Sequence, residues 1–155
     1  MVILLVNKKL LENKKQIQKA KNILKSMSSI KVLHIYDIDY IEQLEKINFK
    51  NSGYYSSLKI PDSKISYDTD EFIIYRWIID CMKLKNKELV YFLCNNIWTK
   101  IQIIDVESAV KELWNYNNES KGFIIFNEKL HKLLEVGSDS RDENNYLYDE
   151  FIICQ

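Results

Sequence analysis

The chain has 155 residues, of which 46% are hydrophobic and 28% are charged, and its 22 basic and 22 acidic residues leave no net charge. This length and composition are typical of one globular domain with a sizeable core, so we predict a single domain over residues 1–155. One Pro and three Gly leave little room for a flexible linker or a glycine-rich phosphate loop, and three Cys without a CxxC pair argue against disulfides and metal sites.

The first 36 residues are predicted to form a strand, a helix and a second strand. The apolar run Val2–Val6 is predicted to be a strand buried on both faces. Asn13 is predicted to cap a helix that ends at about Met27, because apolar residues recur at helical spacing between them. With residues 31–36 as the second strand, the order is compatible with a parallel pair. The run Val2–Val6 is too short for a signal peptide or a membrane span, so we expect a cytoplasmic protein without a membrane partner.

Charge is distributed unevenly along the chain. Residues 1–36 contain eight Lys and one acidic residue, Glu12, so this part carries +7 and residues 37–155 carry −7. This pattern predicts a dipolar surface, although the solvated outer face of a helix would have the same composition. The lysines are not accompanied by Arg or interleaved with aromatic residues, which bidentate phosphate contacts and base stacking favour. We therefore expect no nucleic-acid partner.

The middle of the chain contains a loop and a strongly apolar helix. Residues 37–50 carry Ile or Leu at every third position, which predicts a short helix, and residues 51–67 are predicted to be an irregular loop. The tetrad Asp68–Glu71 predicts a helix start, because carboxylates favour the positive end of the helix dipole. The residues from there to about Lys85 are apolar nearly all round, so we predict a central helix that packs on the sheet and is covered by something else.

Two hairpins, a capped helix and a last strand are predicted in the second half. The dipeptide Asn95–Asn96 is a tight-turn signal between two strand patterns, and Asp105 is predicted to cap the helix that follows. The expected fold is mixed α+β, with a single-layer mixed or antiparallel sheet of about five to seven strands packed against about three helices. The strands predicted in this half are 88–94, 97–104, 122–126, 130–136 and 146–153.

Patterns that would indicate catalysis are weak. No acidic-x-Lys pair on a strand follows Pro61–Asp62, as a magnesium-dependent nuclease of the restriction type would need. No GxSxG motif occurs, and Cys81 and Cys94 fall in apolar segments, which indicates structural roles. Asp37 and Asp39 would lie on the same side of a strand end and are the pair that a small enzyme would use to bind a metal. We expect no enzyme activity and no cofactor, with this pair as the alternative.

The segment Glu135–Phe151 is the most informative part of the sequence. It contains six acidic residues and one base, and it follows a hairpin pattern. Aromatic residues among carboxylates are typical of a surface that binds a basic protein. Regular alternation in the last strand would place its two Tyr residues on the same face, so that they are exposed together or buried together. The two faces would be Tyr146, Tyr148 and Glu150 against Leu147, Asp149 and Phe151.

The stretch from Gly122 to Phe151, GFIIFNEKLHKLLEVGSDSRDENNYLYDEF, resembles the immunity proteins of bacterial contact-dependent and other polymorphic toxin systems. Such small cytoplasmic proteins often end in a hairpin followed by an acidic, aromatic tail. The resemblance covers about a fifth of the chain. It implies stoichiometric inhibition, in which the protein binds a cognate toxin domain, often a nuclease, and blocks or distorts its active site. No fixed set of binding residues carries over from these families.

Charge and aromatic character identify the predicted partner-binding residues. Carboxylates imitate the phosphates that a basic nuclease binds, and Tyr side chains are rigid amphipathic anchors. Two alternatives stay open: the segment is a charged edge strand protected against aggregation, or the protein is a non-inhibitory interaction module or adaptor. The predicted residues are Asp139, Asp142, Glu143, Tyr146, Tyr148, Asp149 and Glu150.

Overall fold

The computed structural model describes residues 2–36 and 59–153. Within these ranges the chain forms three α-helices and seven β-strands, which confirms the predicted mixed α+β class. The helices are α1 (Val2–Lys25), α2 (Glu71–Met82) and α3 (Val106–Asn115). The strands are β1 (Ile30–Ile35), β2 (Ser63–Ser66), β3 (Leu89–Cys94), β4 (Ile97–Ile103), β5 (Gly122–Asn127), β6 (Lys132–Asp139) and β7 (Asp142–Ile152).

The seven described strands form one antiparallel sheet in the order β1-β4-β3-β5-β6-β7-β2. β1 pairs antiparallel with β4, so the sequence order at the start of the chain does not produce a parallel pair. The β3–β4 hairpin turns at Asn95 and Asn96, whose φ angles of 51° and 63° are those of a type I′ turn. Hairpins also join β5 to β6 and β6 to β7, so the three C-terminal strands lie next to one another in the half of the sheet that ends with β2.

The helices cover one face of the sheet, and most of the core lies between them and the strands. Ile78 of α2 and Leu113 and Trp114 of α3 pack with Phe92 and Ile125 of the sheet, and each is at most 1% exposed. Alternate strand residues point to the opposite face, since successive side chains of a strand lie on opposite sides. That face carries a smaller cluster formed by Trp98, Leu133, Phe151 and Ile153.

The predicted N-terminal strand is wrong, because Val2–Val6 are the first residues of α1. A short continuous apolar run has no periodicity that separates a buried strand from a helix. The residues between Val6 and the predicted cap Asn13 include neither Gly nor Pro, and they contain the good helix formers Leu, Lys and Glu. The helix predicted from Asn13 therefore extends back to Val2, and Asn13 lies inside it.

Helix α2 begins at the predicted acidic tetrad but is not covered all round. The Asp70 carboxylate accepts a hydrogen bond from the backbone N–H of Phe72 at 2.9 Å and caps the helix. Ile74 and Ile78 are buried, whereas Phe72 and Ile73 are 62% and 54% exposed. In a two-layer fold a helix meets the sheet with one face only, which explains the exposed apolar residues on the other side.

A short strand replaces part of the predicted loop over residues 51–67. Residues 63–66 form β2, which pairs antiparallel with residues 145–148 of β7 at the edge of the sheet. Four residues are too few to give a recognisable alternation, so the sequence pattern did not predict this strand.

Several predictions fall outside the described residues. They are the Asp37 and Asp39 pair, the short helix over 37–50 and the part of the loop up to residue 58. In the part of the chain that is described, no helix combines the length and apolar character needed to cross a membrane.

Candidate functional site

The predicted binding segment forms the β6–β7 hairpin, whose turn lies at Ser140 and Arg141. The strands pair up to that turn, where Asp139 stands opposite Asp142. β7 lies between β6 and β2, so the alternative interpretation as an edge strand is wrong, and β2 is the edge strand among the described residues. β2 pairs with residues 145–148 of β7, so in this part of the strand β7 offers a partner its side chains rather than free backbone groups.

The two predicted tyrosines lie on the face of β7 that the helices cover. Tyr148 belongs to the main core and is 3% exposed, and its hydroxyl donates to Glu150 Oε1 at 2.8 Å. Burial, reinforced by this carboxylate, raises the pKa of Tyr148. Tyr146 is partly buried and packs edge-on against Trp114, with ring centroids 4.8 Å apart. The predicted alternation holds, and the two rings support the core instead of forming an exposed anchor.

Asp149 lies on the opposite face of β7 and is 2% exposed. Its carboxylate accepts hydrogen bonds from both terminal nitrogens of Arg141, with Nη1 at 3.3 Å, and Lys59 Nζ lies 3.4 Å away. Arg141 also donates to Asp139, from Nε at 3.1 Å and from Nη2 at 3.0 Å. We name Lys59, Asp139, Arg141 and Asp149 the Arg141 cluster. Its two cations pair with two carboxylates, of which Asp149 is buried and Asp139 is 34% exposed.

The Arg141 cluster fixes both charge and chain geometry. Hydrogen bonds from Arg141 hold the pKa of Asp139 below its usual range, and the hydrogen bonds to Asp149 and Asp139 raise the pKa of Arg141. Arg141 Nη1 also donates to the backbone carbonyl of Lys59 at 2.8 Å, so the guanidinium ties the hairpin to the segment that leads into β2. The cluster is therefore a charge-paired support for the hairpin rather than a free acidic surface.

Glu135 of β6 lies beside this cluster and stands directly opposite Asp149 in the strand register. The side-chain hydrogen bonds of Arg141 to carboxylates go to Asp139 and Asp149, so Glu135 does not share the guanidinium. Burial, followed by the charges of Asp149 and Asp139, raises the pKa of Glu135 to about 7, while Arg141 opposes the shift. Near neutral pH this carboxyl therefore titrates, and its ionised form lacks full compensation.

A groove of about 180 Å³ opens beside Glu135. One wall contains Glu135 and Asp139 of β6, and the other is the loop after α3, from Tyr116 to Lys121. The Tyr116 ring packs edge-on against Phe92, with centroids 5.1 Å apart, which fixes its position. Pockets that hold small molecules usually measure about 300–1,000 Å³, so this volume suits one entering side chain better than a cofactor.

Two glycines bring the strands together beside the groove. Gly122 of β5 and Gly137 of β6 face each other in the register, with φ angles of 135° and 153° that side chains rarely adopt. A Cβ atom at Gly122 would lie 2.5 Å from the carbonyl oxygen of Val136 and 2.9 Å from Gly137 Cα. Both residues line the groove, so this close approach shapes it.

We expect Gly122→Ala to lower the free energy of unfolding by about 1–3 kcal/mol, because the new methyl group meets backbone and the φ angle is strained. Urea denaturation of the variant and the unmodified protein measures this loss. Ser120→Ala, in the exposed loop across the groove, is the control and should change stability by less than about 0.5 kcal/mol. Equal losses in both variants would show that the close strand approach is not the cause.

The hairpin end carries the other predicted carboxylates. Asp142 Oδ1 accepts the backbone N–H groups of Asn144 at 2.8 Å and of Asn145 at 3.1 Å. The hydrogen bonds from Asn144 and Asn145 hold the pKa of Asp142 below its usual range. Glu143 is exposed. Glu150 is paired with Lys132, whose Nζ lies 3.1 Å from Oε2. Of these three carboxylates, Glu143 is the one most open to a partner.

The structure thus separates the seven predicted residues by role. Tyr148 and Asp149 are buried, Tyr146 packs on the core, and the accessible carboxylates lie at the hairpin end and along the groove. Sequence reasoning did not single out Glu135 as a site residue, nor its neighbours Arg141 and Lys59. Arg141 did carry a signal, since it is the single base in an otherwise acidic segment.

The described ranges contain no group of three or more His, Cys, Asp or Glu side chains arranged to hold a metal ion. Comparison with known protein families, with characterised proteins and with solved structures gives no significant match to this chain.

Proposed function

We propose that this protein is an immunity protein that binds a cognate bacterial toxin domain, of basic character, and neutralises it as a stoichiometric inhibitor. The observation that supports this proposal best is Glu135, a partly buried carboxylate that lines a groove and is not bonded to the guanidinium beside it. A cationic side chain of a partner that entered the groove would supply the missing positive charge. The resemblance of residues 122–151 to immunity proteins points in the same direction.

The charge around the groove favours a basic partner. Glu135, Asp139, Asp149 and Asp62 are four carboxylates, and the cations beside them are Arg141, Lys59 and Lys121 of the groove wall. This neighbourhood therefore retains one excess negative charge when Glu135 is ionised. Carboxylate surfaces steer basic proteins and speed their association, especially at low salt. Nucleases are commonly basic because they bind phosphate backbones, and such a toxin would meet a surface that imitates its substrate.

The proposed interface differs in detail from the sequence-based prediction. Glu135 and Asp139 line the groove, Tyr116 supplies an aromatic wall, and the exposed Glu143 extends the acidic surface to the hairpin end. Tyr148 and Asp149 contribute by holding the hairpin in shape. We therefore infer that the binding surface is centred on the groove, with the last strand as its support.

The role is tested first by growth rescue. The C-terminal domain of the protein encoded immediately upstream is expressed inducibly, with and without co-expression of this chain. Restored growth and a copurifying one-to-one complex are expected. Toxicity without rescue or binding would exclude this pairing, and binding without rescue would favour an adaptor.

The groove is tested with a variant that separates binding from folding. Glu135→Gln should weaken the complex at least tenfold, because it removes the carboxylate that a partner cation would bind, yet it should not destabilise the fold. Glu143→Lys should mainly slow association and reduce its salt dependence, as rim charges do. Asp80→Lys, on exposed α2 surface away from the groove, is the matched control and should bind normally. Unchanged affinity and salt dependence in both hairpin variants would remove this surface from the interface.

A further inference from the structure

The first half of α1 carries apolar side chains that the fold leaves exposed. Further along the same helix Ala20 and Leu24 are buried against the sheet, with Ile17 and Ile23 packed beside them. Residues 2–12, in contrast, are all exposed. The exposed fractions of the large apolar residues there are 75% for Val2, 77% for Ile3, 74% for Leu4, 67% for Leu5, 52% for Val6, 53% for Leu10 and 54% for Leu11.

These side chains form a broad apolar surface and not a narrow seam. At about 100° per residue, five of them share an arc of about 160° on the helix, namely Ile3, Leu4, Val6, Leu10 and Leu11. Val2 and Leu5 lie outside that arc, so the first turn, residues 2–6, is apolar on every side, whereas Asn7 of the second turn is a polar residue inside the arc. A groove on a protein partner covers one helix face, whereas a lipid surface can receive a wide face together with an apolar end.

Basic residues are placed beside this surface. Lys8 and Lys9 flank the apolar arc on its two sides. One to two turns later Lys14 lies on the midline of the arc, where it ends the apolar face, and Lys15 lies at its border. Glu12 is the single acidic residue in the helix and lies opposite the apolar arc. Lysines at the border of an apolar helix face can bury their methylene stems while their ammonium groups reach anionic headgroups.

Pairing with a second copy of the chain is disfavoured by the same lysines. If Ile3, Val6 and Leu10 formed the seam of a coiled coil, Lys9 and Lys14 would occupy the flanking g and e positions. In a parallel pair Lys9 of one copy would face Lys14 of the other, and in an antiparallel pair each would face its own counterpart. Both arrangements place like charges together.

We infer that the exposed half of α1 binds an anionic lipid surface, lying in the interface with its apolar face inserted and its lysines at the headgroups. This proposal departs from the expectation that the protein has no membrane partner. It does not depend on the proposed immunity function, since the acidic hairpin is a different surface. Binding at the surface needs no helix that spans the bilayer, because an interfacial helix is held by apolar insertion together with electrostatic attraction.

The test is vesicle cosedimentation of the full chain, without a toxin. Vesicles of phosphatidylcholine mixed with phosphatidylglycerol should bind the protein, and vesicles of phosphatidylcholine alone should bind it much more weakly. Lys8→Gln/Lys9→Gln should lower the partition constant for the anionic vesicles by roughly 25-fold, at about fivefold per lysine. Leu4→Ser/Leu11→Ser should lower it at least tenfold without changing charge. Lys19→Gln/Lys21→Gln, in the packed half of the helix, has the same charge change as the first variant and should have a smaller effect.

Three outcomes would overturn the inference. One is no binding to anionic vesicles at low salt. Another is equal loss of binding in the Lys8/Lys9 and Lys19/Lys21 variants, which would indicate general attraction of a basic helix. The third is a concentration-dependent dimer in sedimentation velocity that Leu4→Ser/Leu11→Ser dissociates, which would identify a second copy as the occupant. All substituted residues except Lys19 and Lys21 lie in the exposed half of the helix, so misfolding is not expected to explain a loss.

Discussion

Replacement of Arg141 by Ala should lower the free energy of unfolding by about 3–5 kcal/mol, which is the cost of breaking a buried ion pair from one side. Asp149 is 2% exposed, and Arg141 donates to it from both terminal nitrogens. Without the guanidinium, Lys59 at 3.4 Å is the cation that remains beside this carboxylate. Urea denaturation at constant pH measures the loss.

The effect should grow with pH, because Arg141 acts on more than one carboxylate. It holds the pKa of Asp139 down by hydrogen bonding, and it opposes the raised pKa of Glu135. In the Ala variant Asp139 and Asp149 lose their hydrogen-bonded cation and Glu135 loses a nearby positive charge, so ionised Glu135 becomes more costly. The stability difference between the variant and the unmodified protein should therefore be larger at about pH 8 than at about pH 5.

The chain supplies its own control, since Arg76 is the other arginine. Arg76 is exposed and lies 5.8 Å from the centre of the Phe72 ring, an interaction worth at most about 1 kcal/mol at the surface. Arg76→Ala should therefore cost about 1 kcal/mol or less. Arg141→Ala/Asp149→Asn should recover part of the large loss, because it removes the stranded charge. A loss below about 1 kcal/mol for Arg141→Ala alone would contradict the view that this cluster supports the hairpin.

The confirmed predictions concern features that a few neighbouring residues determine, such as a turn, a helix cap and the alternation of a strand. Asn95 and Asn96 adopt the positive φ angles that a two-residue hairpin requires, and the Asp105 carboxylate accepts the backbone N–H of Ser108 at 3.3 Å as a helix cap should. Alternation along β7 correctly grouped Tyr146 with Tyr148. Such features depend on a few neighbouring residues, so a single sequence contains the information that decides them.

The predictions that fail depend on what is packed against a segment. Val2–Val6 are as compatible with a buried strand as with an exposed helix end, because a short apolar run has no periodicity that separates the two. The apolar circumference of α2 indicated cover on every side, yet Phe72 and Ile73 face outwards. Sequence composition records that a residue is apolar, but it does not record whether the fold has a second layer to bury it.

The pairing of Glu135 with Asp149, which is central to the candidate site, depends on a register shift that the sequence did not predict. A hairpin that continued evenly from Asp139 opposite Asp142 would place Glu135 opposite Tyr146. The irregularity between Gly137 and Asp139 moves the pairing, so that Glu135 faces Asp149 instead. Bulges of this kind change which side chains meet, and they are set by strand packing as much as by local sequence. The like-charged pair beside Arg141 therefore became visible only in three dimensions.

Glu135→Gln should stabilise the protein by about 2–3 kcal/mol at about pH 8 and have little effect on stability at about pH 4. The pKa of Glu135 is raised from 4.5 to about 7 by burial and then by Asp149 and Asp139. At one pKa unit per 1.36 kcal/mol, the full shift corresponds to about 3 kcal/mol, and some solvent access reduces it.

The sign follows from proton binding. Between about pH 4.5 and 7 the folded protein keeps the Glu135 proton while the unfolded chain releases it, so stability from this group falls as pH rises through that range and stays low above it. Gln cannot ionise and keeps the uncharged state at every pH. The gain on substitution should therefore appear with a midpoint between these values, which urea denaturation of both proteins across the range will show. Glu143→Gln, an exposed carboxyl in the same hairpin, is the control and should differ from the unmodified protein by a few tenths of a kcal/mol at each pH.

Ionised Glu135 destabilises the fold near neutral pH, and a cation of the proposed partner would stabilise that ionised form. If a partner cation enters the groove, complex formation should favour the ionised form of Glu135, and affinity should rise with pH over the same range in which the free protein loses stability. Glu135→Gln should abolish this pH dependence of binding while it increases stability. A variant that is more stable and still binds with unchanged affinity would show that Glu135 is a strained structural residue, and the proposed interface would have to lie elsewhere on the protein.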